Sequence, residues 1–139
     1  VLAESQTLGT EVTIGVYRRA GRVEVLPPLA VSSTIDDYLS RAAKSSNKIR
    51  VVPADLVVPS SLLREAAVQC TDLFREMGGR AFCRFDGIAG MDGEFSFIEA
   101  NVTPGMVPGV SFLPEMLRLE GLDLGALLDD MIGRALSGL

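Results

Sequence analysis

The stretch "CRFDGIAGMDGEFSFIEANVTPGM", Cys83–Met106, carries an arginine, an aspartate, a glutamate and an asparagine inside two runs that otherwise read as apolar β-strand. These are Arg84, Asp86, Glu99 and Asn101. Asp92-Gly93 between the runs predicts a two-residue type I′ hairpin turn, because both central positions of that turn need positive φ and Asp-Gly tolerates it. Met91 then faces Glu94, and counting back along both strands sets Asp86 against Glu99 and Arg84 against Asn101. Side chains two apart on a strand share a face, so the four polar groups converge on one side, with Phe95 and Phe97 along that side nearer the turn. Cys83, Phe85, Ile98 and Ala100 fall on the other side, the one expected to pack against a helix.

Directly opposed carboxylates do not sit together without help. At about 5 Å and an effective dielectric near 20 they repel by roughly 3 kcal/mol. Two offsets are open from the residues alone. Either Arg84 on the same face makes an ordinary ion pair in a solvated patch, or a divalent cation takes both carboxylates and the amide oxygen of Asn101, as Mg²⁺ does when it keeps waters and phosphate oxygens. The loop that follows, "NVTPGM", turns at Pro104-Gly105, where a glycine lets backbone N–H groups approach a ligand.

Upstream, "EVTIGVYRRAGRVEVLPPLAV" alternates Val12, Ile14 and Val16, turns near Ala20-Gly21, resumes with Val23 and Val25, and stops at Pro27-Pro28: a second hairpin. "SSTIDDYLSRAAKSSNK", residues 32–48, is polar, serine-rich and weakly periodic, and predicts a flexible surface loop with room for one helical turn. A loop of that length in a compact domain is expected to be functional or disordered. A short extended piece follows at residues 49–52. "SSLLREAAVQCTDLFREMGG" then places Leu62, Leu63, Ala66, Ala67, Cys70, Leu73, Phe74 and Met77 on one helical stripe, with Ser60 or Ser61 as the expected cap and Gly78-Gly79 as the stop. "FLPEMLRLEG" predicts a short helix ended by Gly121. "LDLGALLDDMIGRAL" predicts another, capped by Asp123, with Leu124, Leu127, Leu128, Met131, Ile132 and Leu136 toward the core. Strands and helices without a repeating βαβ alternation predict an α+β fold, a mainly antiparallel sheet with helices packed on it.

The chain of 139 residues is 47% hydrophobic, enough for one domain and short for two. A net charge of −5 without a dense Lys/Arg cluster argues against a nucleic-acid partner. No apolar run reaches the length that spans a bilayer and no export signal opens the sequence, so the expected location is the cytoplasm. Cys70 and Cys83 have no C-x-x-C spacing and read as buried reduced thiols. The chain has no histidine, which leaves carboxylates, Lys, Arg, amides and hydroxyls for any chemistry.

"RFDGIAGMDGEFSFIEANVTPGM", with "SFLPEMLRLEGL" behind it, resembles the C-terminal part of D-alanine–D-alanine ligases, a family of ATP-grasp carboxylate-amine ligases; "VLAESQTLGTEVTIGVY" resembles that family's nucleotide hinge and the strand after it. The resemblance runs along nearly the whole chain and is most specific over residues 84–114. It implies the C-terminal lobe of the ATP-grasp fold. It implies that Asp86, Glu99 and Asn101 hold Mg²⁺ (or Mn²⁺) on the phosphates of ATP, and that Arg84 and the backbone of Gly105 steady developing negative charge. It also implies that Glu4 lies at the adenine end, that Glu11 binds ribose hydroxyls, and that Ser111 meets the carboxylate of the second amino acid. A loop lysine near the terminal phosphate is implied within residues 36–48. Lys44 stands for it, with Arg41 and Lys48 left open. The implied activity is ADP-forming ligation of two D-alanines through an acyl phosphate, for peptidoglycan precursors in cell-wall biogenesis. The alternatives are another ligase of the group with a different second substrate, and a nucleotide- or Mg-binding module without catalysis.

The sequence departs from the family pattern after Met106, where Val107 replaces a threonine and one extra residue precedes Ser111. This leaves the second substrate open. With the family's N-terminal half absent, the chain is expected to be one domain, a C-terminal lobe that as an isolated piece lacks full activity. Its partners would be the missing N-terminal lobe and small amino-acid substrates, and a homodimer of the full-length parent stays open.

Overall fold

A computed structural model describes residues 7–33 and 49–138. Among the described residues six strands form one sheet in the order β4-β3-β1-β5-β6, with β2 also paired to β1. They are β1 (Gly9–Arg19), β2 (Arg22–Val25), β3 (Leu29–Ser33), β4 (Ile49–Pro53), β5 (Phe82–Gly90) and β6 (Phe95–Asn101). Every pairing is antiparallel. The expected first hairpin forms, turning at Ala20 and Gly21, both at positive φ. Pro27-Pro28 interrupts the strand, as predicted, but the chain then resumes as β3 along the same edge of β1. The two prolines thus divide one long edge between β2 and β3. Ser32 and Ser33, assigned to the loop, close β3 instead, each paired with β4. The remainder of the predicted loop, residues 34–48, lies outside the described residues.

Helix α1 (Ser60–Glu76) covers one face of the sheet: Leu62, Leu63, Ala66, Cys70 and Phe74 pack on Val12, Ile14, Val16, Cys83 and Phe85. Its start has no serine cap. Pro59 occupies the cap position without a side-chain bond, and Ser60 is already helical. The end follows the glycine expectation: Gly78 sits at φ +68° and Gly79 N–H donates to Phe74 O at 2.8 Å, a Schellman closure. Helices α2 (Phe112–Leu119) and α3 (Leu124–Leu136) cover part of the opposite face, burying Tyr17, Leu26, Leu29, Leu113, Met116, Leu117 and Leu127 together. A Cβ at Gly15 would come within 2.9 Å of Met116 Sδ, so the absent side chain is what lets α2 lie close to β1. Asp123 caps α3 as predicted, accepting from Ala126 N–H at 2.8 Å. The apolar stripes are wider than the sheet surface that receives them: Leu73, Met77, Ile132 and Leu136 remain exposed.

Both thiols are buried, and burial pushes Cys70 up to about 12 and Cys83 up to about 11. Among the described residues no helix is long and apolar enough to cross a membrane.

Candidate functional site

The hairpin of β5 and β6 turns differently from the sequence expectation. Gly93 alone is at positive φ there, Gly93 N–H donates to Gly90 O, and Gly90 N–H donates to Glu94 O. The loop is therefore three residues, Met91-Asp92-Gly93, and the pairs next to it are Ala89 with Phe95, Ile88 with Ser96 and Gly87 with Phe97. Continued unchanged, that register would set Asp86 against Ile98 and turn Glu99 to the other face, since a slip of one residue inverts every side chain. It does not continue. A bulge between Asp86 and Gly87 leaves Ile98 without a partner, and beyond it Asp86 pairs with Glu99, Phe85 with Ala100 and Arg84 with Asn101.

The bulge corrects the aromatic assignment as well. Phe95 and Phe97 lie on the helix α1 face, not beside Asp86: Phe97 meets Phe85 edge-on at 6.3 Å and Phe95 at 5.0 Å. Phe95 packs over Gly87, where a Cβ would fall 2.5 Å from its ring. Ile98, expected to be buried, is 59% exposed at the bulge.

On the opposite face the four polar residues do come together. Arg84 grips Asp86 with two bonds, Nε to Oδ1 at 2.9 Å and NH2 to Oδ2 at 2.7 Å, and the same NH2 lies 3.9 Å from Glu99 Oε1. The Arg84 guanidinium also lies over the Phe112 ring, 5.3 Å from its centre. Arg84 is thus the group that offsets the carboxylate repulsion, and it does so in a site that is only partly wet: Asp86 is 9% exposed, whereas the Glu99 side chain is 57% exposed. A solvated surface patch does not describe Asp86. One residue that sequence reasoning missed completes the arrangement. Thr13 pairs with Asp86 across β1 and β5, is 2% exposed, and donates its hydroxyl to Asp86 Oδ1 at 2.6 Å. Its signal was its position on the face of β1 opposite to Val12 and Ile14, but the partner strand begins some seventy residues later.

Around this centre stand the remaining candidates. Glu11 shares the Thr13 face of β1 and pairs with Ile88 of β5. The Asn101 amide oxygen accepts from Thr103 N–H at 3.1 Å, which turns the chain into the Pro104-Gly105 loop. That loop folds back on Ser111: Val107 N–H donates to Ser111 Oγ at 3.2 Å, and a Cβ on Gly105 would fall 2.6 Å from the same oxygen. Ser111 immediately precedes Phe112 and α2, so the loop, the arginine and the aspartate form one continuous run of contacts. Glu4 and Lys44, with its alternatives Arg41 and Lys48, lie outside the described residues.

Among the described residues no three His, Cys, Asp or Glu gather as a metal cluster. What the hairpin offers a cation is two carboxylates and one amide oxygen. That is a hard-oxygen set suited to Mg²⁺, which takes few protein ligands and completes its shell with water and phosphate oxygens. A carboxylate has about four lone-pair positions. Thr13 and Arg84 occupy three on Asp86, so Oδ2 retains one for a metal. The residues present fit such an ion.

The family model described as the C-terminus of D-ala D-ala ligase matches residues 1–133. A D-alanine–D-alanine ligase from Parabacteroides distasonis is 32% identical over 136 residues, covering 95% of this chain and 39% of that protein. Two solved structures share the fold. D-alanyl-alanine synthetase A from Vibrio cholerae has a TM-score of 0.78 at 22% identity, covering 94% of this chain and 40% of its own. A D-alanine–D-alanine ligase from Bacillus anthracis complexed with ATP has a TM-score of 0.73 at 20% identity, covering 96% and 40%. The chain spans about 40% of the length of these relatives. Together with an antiparallel sheet carrying three helices, the match over nearly the full length means that this chain belongs to the D-alanine–D-alanine ligase family, as its C-terminal domain.

Proposed function

We propose that this chain is the C-terminal part of an ADP-forming ligase that joins two D-alanines, the rest of the nucleotide cleft being supplied by the N-terminal portion that the relatives carry. The observation that carries this reading is the register of the second hairpin, which stacks Asp86, Glu99, Arg84 and Asn101 on one face beside the Gly105–Ser111 loop. The Bacillus anthracis relative complexed with ATP supports the choice of nucleotide.

In this reading Asp86, Glu99 and Asn101 would hold Mg²⁺ or Mn²⁺. When bound, the ion neutralises charge on the phosphates during phosphoryl transfer to the first substrate's carboxylate. Arg84 bonds both oxygens of Asp86, which keeps the carboxylate turned toward the site. Arg84, clamped by Asp86 below and Phe112 above, keeps its remaining N–H donors for negative charge that develops on the acyl phosphate as the second amine displaces phosphate. The backbone at Gly105 approaches the same charge where a side chain would collide with Ser111. Ser111 meets the second amino acid's carboxylate, and Glu11, on the Thr13 face of β1, takes the ribose hydroxyls. We assign Glu4 to the adenine end and Lys44 to the terminal phosphate from the family resemblance.

Glu99→Gln in the whole ligase tests this. The substitution removes a metal ligand and a like charge, so the fold should persist by circular dichroism. D-alanine-dependent phosphate release from ATP should fall on the order of 100-fold or more. Wild-type ligation rates in that variant would refute the assignment, and nucleotide binding without turnover in the unmutated protein would favour a binding module instead.

A further inference from the structure

The buried hydroxyl of Thr13 stands outside every role assigned above, and its geometry gives it one. Asp86 belongs to β5, and its salt-bridge partner Arg84 lies two residues away on the same strand. Arg84 can therefore grip the carboxylate without tying that side chain to a second strand. Thr13 is on β1, between β3 and β5, where neighbours on both sides hold the backbone. Its hydroxyl reaches Oδ1, the oxygen that also accepts from Arg84 Nε, and so fills that oxygen. The remaining lone pair is on Oδ2. The Arg84 NH2 bonded to Oδ2 also lies 3.9 Å from Glu99 Oε1, so one guanidinium nitrogen stands near both carboxylates.

Three further facts distinguish this from incidental packing. The hydroxyl is a neutral donor, so it restrains Asp86 without consuming the negative charge a cation needs, which a second arginine or lysine would do. The β-branched side chain restricts χ1, so the hydroxyl is aimed and not searching. At 2% exposure, no bulk water takes its place if it is removed.

We propose that Thr13 is a positioning residue for the metal site, acting through Asp86: it ties the carboxylate to β1 and fills Oδ1, leaving Oδ2 as the oxygen that would meet a cation. This rests on the ligase reading, and the test separates the two.

The whole ligase and its Thr13→Val, Thr13→Ser and Glu99→Gln variants are titrated with Mn²⁺ and ADP, with bound Mn²⁺ read by electron paramagnetic resonance and folding by thermal melts. Loss of an outer partner of a metal ligand weakens binding by about 10- to 100-fold. Thr13→Val, nearly the same shape without the donor, should show that loss while folded, and Thr13→Ser should return to within about threefold of wild type. A purely structural threonine would shift the melt and leave Mn²⁺ affinity of the folded protein unchanged. The inference is overturned if Thr13→Val binds Mn²⁺ as wild type does while Glu99→Gln loses it. If the wild type fails to bind, or Glu99→Gln binds equally well, the ligase reading falls and this inference with it. Should Thr13→Val not fold, Thr13→Ala is held to the same loss.

Discussion

Replacing Arg84 by methionine separates the energetics of the polar centre from its chemistry. The Arg84 and Asp86 side chains are each 13% exposed and joined by two bonds, at 2.9 and 2.7 Å. Methionine keeps the aliphatic length beside Phe112 but leaves Asp86 with Thr13 as its remaining side-chain donor. Removing one partner of a buried ion pair costs about 3–5 kcal/mol, because the other charge stays desolvated. The Asp86–Glu99 repulsion, no longer offset, adds at most ~1 kcal/mol, since Glu99 is more than half exposed and screened. The expected loss is about 4 kcal/mol, a fall in Tm on the order of 10 °C. It is measured by urea and thermal unfolding at pH 7 in EDTA, so that no metal contributes. In an Asp86→Asn background the same Arg84→Met change should cost about 1 kcal/mol, because no buried charge is abandoned. A loss below about 1 kcal/mol in the parent, or an equal loss in both backgrounds, would refute the view that this pair holds the centre together.

The bulge predicts an unusual tolerance: deleting Ile98 removes the one unpaired residue of β6 and leaves Glu99 opposite Asp86, so cross-strand nuclear Overhauser contacts between residues 86 and 99 should survive. Their disappearance would contradict the register. Stability should fall at alkaline pH, because Tyr17 is pushed up to about 12 by burial and by its bond to Glu24 Oε2, and Cys70 and Cys83 are pushed up to about 12 and 11 by burial. Each group binds its proton more tightly folded than unfolded. Its contribution is therefore intact below the ordinary pKa, near 9 for the thiols and 10 for the tyrosine, and is lost upward through the folded value at about 1.4 kcal/mol per pH unit. Urea midpoints from pH 8 to 11 check this. Tyr17→Phe should flatten the decline above pH 10, and a profile unchanged by that substitution would count against the assignment.

Much of the architecture was legible because it is local. The first hairpin announces itself through Val12, Ile14 and Val16 and the Ala20-Gly21 turn. Helix α1 follows from its stripe and its two terminal glycines, and α3 from Asp123. Each of these depends on residues within a few positions of one another. The outward-facing Leu73, Met77, Ile132 and Leu136 were less legible, since a helical stripe says which residues share a side but not how much neighbouring surface reaches them.

The central pairing was reached by a route the structure does not follow. A two-residue Asp-Gly turn with no bulge and a three-residue Met91-Asp92-Gly93 turn with a bulge at Ile98 both set Asp86 against Glu99. They differ in where Phe95 and Phe97 go. Residue types alone singled out the four members of the candidate site, but left a solvated ion pair and a cation site equally open. The tertiary structure decided the rest: Phe95 turns to the α1 face, where Gly87 has no side chain to obstruct it, and the bulge is the compensation this requires. It also placed Thr13 beside Asp86 and Phe112 beside Arg84. Those contacts join segments far apart in the chain, and their energy exists only once the sheet has brought the strands side by side.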